Sequence, residues 1–191
     1  MKKFRELAKA INQIYIDSHN TFTSYQRSTG LNCLSGCGAC CLSKEISATV
    51  LEMIPTALDL YDRGIAREVY DQLLIREDLT CYFYHKLSPD GFKGLCMNYG
   101  HRPSVCRSFG AAATRNKYGQ KTMSICKLIK EQHGELIKSI NPELAPVIGE
   151  FARKVMSLDP RLGERVLPIN EALKEALEMI LHHCEYEKES G

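Results

Sequence analysis

The chain has 191 residues, 44% hydrophobic and 25% charged, a profile that excludes a disordered polymer and leaves room for one well-buried core. Its 25 basic and 23 acidic residues are interspersed and leave a formal charge of +2, so charge makes no case for binding nucleic acid or a membrane surface.

Residues 4 to 25 place Phe4, Leu7, Ala8, Ile11, Ile14, Tyr15, Phe22 and Tyr25 at three- and four-residue intervals, which predicts a long amphipathic helix closed by Gly30. The expected role of its apolar stripe is to dock on the rest of the chain, with a dimer seam as the alternative. Helical segments follow near 48 to 62 and 65 to 76, the first tolerating Pro55 only within its first turn or at a kink. Periodicity then fails. Cys81 to Tyr84 and Leu95 to Tyr99 flank the turn-rich Ser88-Pro89-Asp90-Gly91 and suggest a hairpin with a long loop. Pro103 opens a short helix carrying Cys106 and Arg107, and Phe109 to Thr114 with Lys121 to Ile125 make a second hairpin. From Lys127 onward the pattern is helical, interrupted at Asn141-Pro142, Asp159-Pro160 and Leu167-Pro168, and the last helix carries Ile169, Leu173, Ala176, Leu177, Ile180 and Leu181. The expected fold is therefore mainly α with small β-hairpins. It divides into an N-terminal helix (1–30), a cysteine region (31–126) and a C-terminal helical segment (127–191) packed on it.

Nine cysteines demand a common explanation, and eight of them fall between Cys33 and Cys126. Disulfides, a metal site and small buried hydrophobes compete. No stretch approaches the roughly 18 apolar residues of a membrane span, and Arg5, Glu6, Lys9, Asn12 and Gln13 leave no apolar run of a secretory leader behind Lys2 and Lys3. The expected location is the cytoplasm, where thiols stay reduced and structural disulfides are rare. The cysteines also sit among Gly, Ser, Asn and Pro rather than on periodic apolar faces, which disfavours the hydrophobe reading. The metal reading leads.

Cys37-Gly38-Ala39-Cys40 has the C-x2-C spacing that lets two sulfurs chelate one metal while the backbone turns between them. A thioredoxin-like redox pair shares this spacing, but here Cys33 and Cys41 flank it. Adjacent Cys40 and Cys41 fit poorly into one tetrahedral shell, so one of them is expected to join a second metal, bridge two metals or pack beside the first. Eight thiols suffice for two zinc sites, one iron–sulfur cubane or a compact multinuclear site. A single knuckle followed by scattered cysteines leans slightly towards iron–sulfur chemistry.

His85 and His101 are possible nitrogen ligands by their spacing to Cys81 and Cys106. His182-His183-Cys184 precedes a charged run and reads as a fraying tail. Arg102, Arg107, Arg115, Lys117, Lys121, Lys127 and Lys130 make one segment basic, either as a solvated face or as compensation for a thiolate-rich centre. No P-loop, dinucleotide fingerprint or H-E-x-x-H motif is present, and no catalytic set assembles.

Cys33, Cys37-Gly38-Ala39-Cys40-Cys41, Cys81, Cys96 and Tyr99-Gly100-His101-Arg102-Pro103-Ser104-Val105-Cys106-Arg107 together resemble the YkgJ-type cysteine-cluster family, a zinc- or iron-chelating domain related to the cysteine cluster of flagellin lysine N-methylases. The family opens C-x2-C-x2-C-C, whereas three residues separate Cys33 from Cys37 here, and Ser108-Phe109-Gly110 stands where an aromatic and a proline often follow. The resemblance covers roughly residues 31 to 126.

Arg102-Pro103-x-x-Cys106-Arg107 also has a physical rationale: a helix begun at Pro103 would lower the Cys106 thiol pKa, and Arg102 and Arg107 would bond sulfurs or carboxylates. The expected metal ligands are Cys33, Cys37, Cys40, Cys41, Cys81, Cys96, Cys106 and Cys126, holding iron–sulfur or zinc. Beyond the metal ion no partner is indicated. The expected function is metal binding, with an iron–sulfur accessory enzyme or electron carrier, or a cysteine redox sensor, as alternatives.

Overall fold

The computed structural model describes residues 1–108 and 110–189, without the side chains of 185–189. Among the described residues it contains eight α-helices and three two-stranded antiparallel pairs, so the chain is mainly α with small β-hairpins. No described helix is long and apolar enough to cross a membrane.

Helix α1 (Lys2–Thr29) buries Ala8, Ile11, Tyr15, Ser18, Phe22 and Tyr25 on one face. It ends because Gly30 adopts φ +72°, where a side chain would be strained, and returns its N–H to Gln26 O at 2.8 Å. Strand β1 (Ser47–Thr49) leads directly into α2 (Val50–Asp62). Thr49 closes a capping box with Glu52: its side chain accepts from Glu52 N at 3.1 Å while Glu52 Oε2 accepts from Thr49 N at 2.9 Å. Pro55 is the sixth residue of α2, beyond the first turn, and the helix continues through it. A helix buried almost all round sits at the centre of its fold. Accordingly α2 packs on α1, on α3 (Ala66–Leu74) and, from further along the chain, on α6 (Glu150–Met156), α7 (Pro160–Gly163) and α8 (Ile169–Glu189). The main core joins Val50, Met53, Ile54 and Ala57 of α2 to Leu173, Leu177 and Ile180 of α8. Each such Leu or Ile stabilises the fold by about 1.5–3 kcal/mol relative to an exposed one.

The two predicted hairpins form with adjusted ends. Strands β2 (Tyr84–Lys86) and β3 (Gly94–Cys96) pair with Tyr84 opposite Cys96. Cys81 to Phe83 lie outside the ladder because Tyr84 N turns back to Cys81 O at 3.0 Å. After a 3-10 turn, Tyr99–His101, comes the single-turn helix α4 (Ser104–Arg107), with Pro103 as its N-cap rather than inside it. Strands β4 (Ala111–Arg115) and β5 (Lys121–Ile125) pair in full register; Phe109, assigned to this hairpin from sequence, is outside the described residues. Ala111, Ala113 and Ile125 join Tyr25, Leu31 and Ile129 in a second core.

Helix α5 (Lys127–Lys138) is kinked at His133 (φ −127°, ψ 30°) and is followed by a 3-10 turn, Pro142–Leu144. Strand β6 (Val166–Pro168) pairs with β1, a ladder that periodicity missed because three residues are too few to carry a period. The fraying-tail reading of His182-His183-Cys184 is corrected. Cys184 is buried in the main core, its thiol donating to Met1 Sδ at 3.1 Å, and His183 stands edge-on to Phe4.

Candidate metal centre

Two backbone stitches bring the cysteine knuckle against the β2–β3 hairpin: Gly38 N donates to Phe92 O at 2.8 Å and Gly94 N to Gly36 O at 2.9 Å. The Tyr84 ring lies over both Gly38 and Gly94, where an added Cβ would collide with it, and its hydroxyl donates to Gly91 O. This close approach explains a glycine inside the C-x2-C pair. Cys41 N turns back to Gly38 O at 2.9 Å, and Cys81 N donates to Cys41 O at 3.2 Å, which ties Cys81 to the knuckle from 40 residues away in sequence. Cys96 enters from the end of β3, and Met97 N donates to Phe83 O at 2.8 Å beside it.

Cys106 comes from α4, which α2 holds in place. The buried Glu52 accepts from Ser104 N through Oε1 at 3.0 Å while its other oxygen caps α2. One turn further along α2, Thr56 donates to His101 O at 3.1 Å and accepts from Asn98 Nδ2 at 3.0 Å. Two side chains of a single helix therefore anchor the segment from Asn98 to Ser104.

The result is a cavity of about 750 Å³ whose wall includes Cys33, Cys37, Cys40, Cys41, Cys81, Cys96 and Cys106. Cys126 is outside this wall, as the N-cap of α5 beside the second core. All nine cysteines are thiols. Among the described residues no three Cys, His, Asp or Glu side chains converge tightly enough to hold an ion as they stand. The donor set nevertheless fits a soft metal: the wall carries seven thiols, two methionine thioethers and no Asp or Glu.

The CxxCxxCC family, described as a "putative zinc- or iron-chelating domain", matches residues 32–127. The chain belongs to that family. No curated protein and no solved structure matches it. The CxxCxxCC match begins one residue before Cys33 and ends one residue after Cys126, so it encloses the eight clustered cysteines and omits Cys184.

Electrostatics separate the thiols of this CxxCxxCC domain. The Cys41 thiol donates to Cys40 sulfur, which lowers Cys40 to about 6 and, by the same bond, raises Cys41. Burial pushes Cys81 up to about 11 and raises Cys33, Cys96 and Cys106 as well. The expectation that the short helix would lower Cys106 is thus corrected: one turn supplies little dipole, and desolvation of a buried sulfur wins. Cys33 is exposed as a residue, but its sulfur turns inwards, where a Cβ on Gly110 would stand 2.9 Å from it.

The histidine expectations resolve differently. His85 is exposed on β2, and His101 faces a separate groove with Nε2 3.8 Å from Asp59 Oδ1. Neither lines the thiol cavity, whereas His19 of α1, unremarkable in sequence, does. Of the basic segment only Arg102 and Arg107 reach the wall. Lys121 donates to Glu143 O and Ala145 O, and Lys127 pairs with Glu131, both away from it. Arg107 donates to Arg102 O at 2.7 Å and Gly100 O at 2.6 Å and lies over the Tyr15 ring, so it braces the loop rather than a sulfur.

Proposed function

We propose that this chelating domain holds an iron–sulfur cluster on the thiols of its cavity, drawn from Cys33, Cys37, Cys40, Cys41, Cys81, Cys96 and Cys106, with Cys126 outside that wall. The observation that carries this reading is the seven-thiol, carboxylate-free wall. The spread of the thiols favours a cluster over a single zinc ion. A zinc ion draws four ligands to about 2.3 Å from one atom, whereas these sulfurs stand round a large cavity without any three converging, an arrangement suited to a multi-atom cluster. Such a group would supply one-electron chemistry. The chain's own contribution is to hold the sulfurs apart, exclude carboxylates and shield the site with Phe22, Met53 and Phe83.

Binding requires thiolates, so loading releases protons, and the raised Cys81 and Cys106 make it weaken as pH falls. The test is anaerobic purification followed by iron, zinc and acid-labile sulfide analysis. The expected product is brown, contains iron and sulfide, and bleaches in air. A colourless protein with stoichiometric zinc contradicts the choice of metal, and a protein without either metal contradicts chelation.

A further inference from the structure

The cavity is far larger than a metal centre requires. At about 750 Å³ it falls within the roughly 300–1,000 Å³ range of pockets that enclose organic ligands. Its lining includes apolar side chains, the buried Phe22 from α1 and the exposed Leu95 and Met97 at and just past the end of β3. Two arginines line it and no described Asp or Glu does, so its negative charge resides on the thiols, foremost Cys40.

Those arginines are not equivalent, because Arg107 is bound to backbone carbonyls. Arg102 stacks on Tyr99 with its guanidinium 3.5 Å from the ring centroid and uses only Nε, which donates to Tyr99 O at 3.2 Å. Among the described residues no hydrogen-bond acceptor meets its two terminal nitrogens, although its charge also acts on Cys33, Cys40, Cys96 and Cys106. A planar guanidinium with both terminal nitrogens available matches the two oxygens of a carboxylate. A single available cation suits a monoanion better than a phosphate dianion.

We infer that the outer part of the cavity binds an organic monocarboxylate with an apolar body, its carboxylate on Arg102 and its body against Phe22, Leu95 and Met97. The inference rests on the thiols being the metal-holding wall, which leaves this space beside them. It makes Arg102 a ligand-binding residue and gives the exposed apolar rim a role in entry.

The test is calorimetric titration of the anaerobically purified full-length protein with 3-phenylpropanoate and hexanoate, with 3-phenylpropanamide as the neutral control and metal content measured in every sample. Expected are saturable one-to-one binding of the acids, at least tenfold weaker binding of the amide, and at least a tenfold loss of acid binding in Arg102→Gln. Arg102→Lys keeps the charge but not the fork and is expected to bind with intermediate affinity; it also serves if circular dichroism shows Arg102→Gln misfolded. Equal binding of acid and amide overturns the inference, as does no acid binding at millimolar concentration. Loss of metal from Arg102→Gln with acid affinity unchanged also overturns it and assigns the guanidinium to sulfur. A wild-type protein that purifies without metal contradicts the chelation reading instead, and the same titrations on it still decide the role of Arg102.

Discussion

Tyr84 shows how much of the site depends on missing side chains. Its ring occupies the space where Gly38 and Gly94 would carry Cβ atoms, and its hydroxyl is fixed on Gly91 O, so the ring has little freedom to withdraw. Gly38→Ala is expected to destabilise the protein by about 1–3 kcal/mol, the usual range for overpacking. Tyr84→Ala in the same background should recover part of that loss in a denaturant melt; equal effects with and without the ring would contradict the contact. The Cys40–Cys41 pair makes a chemical prediction for metal-free protein. With Cys40 lowered to about 6, its alkylation by iodoacetamide should rise through that pH and level off near 7, while Cys81, raised to about 11, is still gaining rate at pH 9. At pH 7 the roughly hundredfold larger thiolate fraction is offset about twentyfold by lower nucleophilicity, leaving a several-fold advantage over an ordinary thiol. Cys41→Ala removes the donor and should move the Cys40 plateau to higher pH; an unmoved plateau would refute the hydrogen bond. The sequence singled out this adjacent pair because two neighbouring sulfurs crowd one shell, but which of them ionises depends on a side-chain hydrogen bond that spacing does not encode.

At the scale of elements, Glu52 links two helices that meet only in three dimensions. One carboxylate oxygen completes the capping box of α2 and the other accepts from Ser104 N at the start of α4, two residues before Cys106. Glu52→Ala removes acceptors from buried amides and is expected to destabilise by about 2–3 kcal/mol, lowering the melting temperature by roughly 4–12 °C for a chain of this size. Thr49→Ala, which loses only the cap, should lose about 1 kcal/mol. Equal losses would show that the α4 contact contributes nothing. The long helices were legible because apolar spacing over many residues leaves little ambiguity, and α1, α2, α3 and α8 stand close to their expected ranges. The β1–β6 ladder and the single-turn α4 were harder, since three or four residues carry no period and depend on tertiary partners. Cys184 had a usable signal that the charged run behind it masked: it lies four residues after Ile180 and continues the buried stripe of α8.

For the whole molecule, α2 and α8 pack together as a floor, and the cysteine region folds over it into a cavity lined on one side by α1. The thiol count and the family resemblance pointed to candidate ligands, yet no spacing rule could have placed Cys81 against Cys41, nor revealed the volume of the cavity that the thiols line. Because the bound group stabilises only the folded chain, its removal by a chelator should lower the melting temperature. If the group is held at a hundredfold over its Kd, the loss is about 2.7 kcal/mol, or roughly 5–11 °C. The central claim, that the cavity thiols hold the metal, is tested most directly by metal analysis of anaerobically purified single Cys→Ser variants. Cys40→Ser, Cys81→Ser, Cys96→Ser and Cys106→Ser are expected to lose most of their metal, while Cys184→Ser, at the far end of α8, retains the wild-type content. Wild-type metal content in all four cavity variants, or its loss in Cys184→Ser alone, would contradict the account.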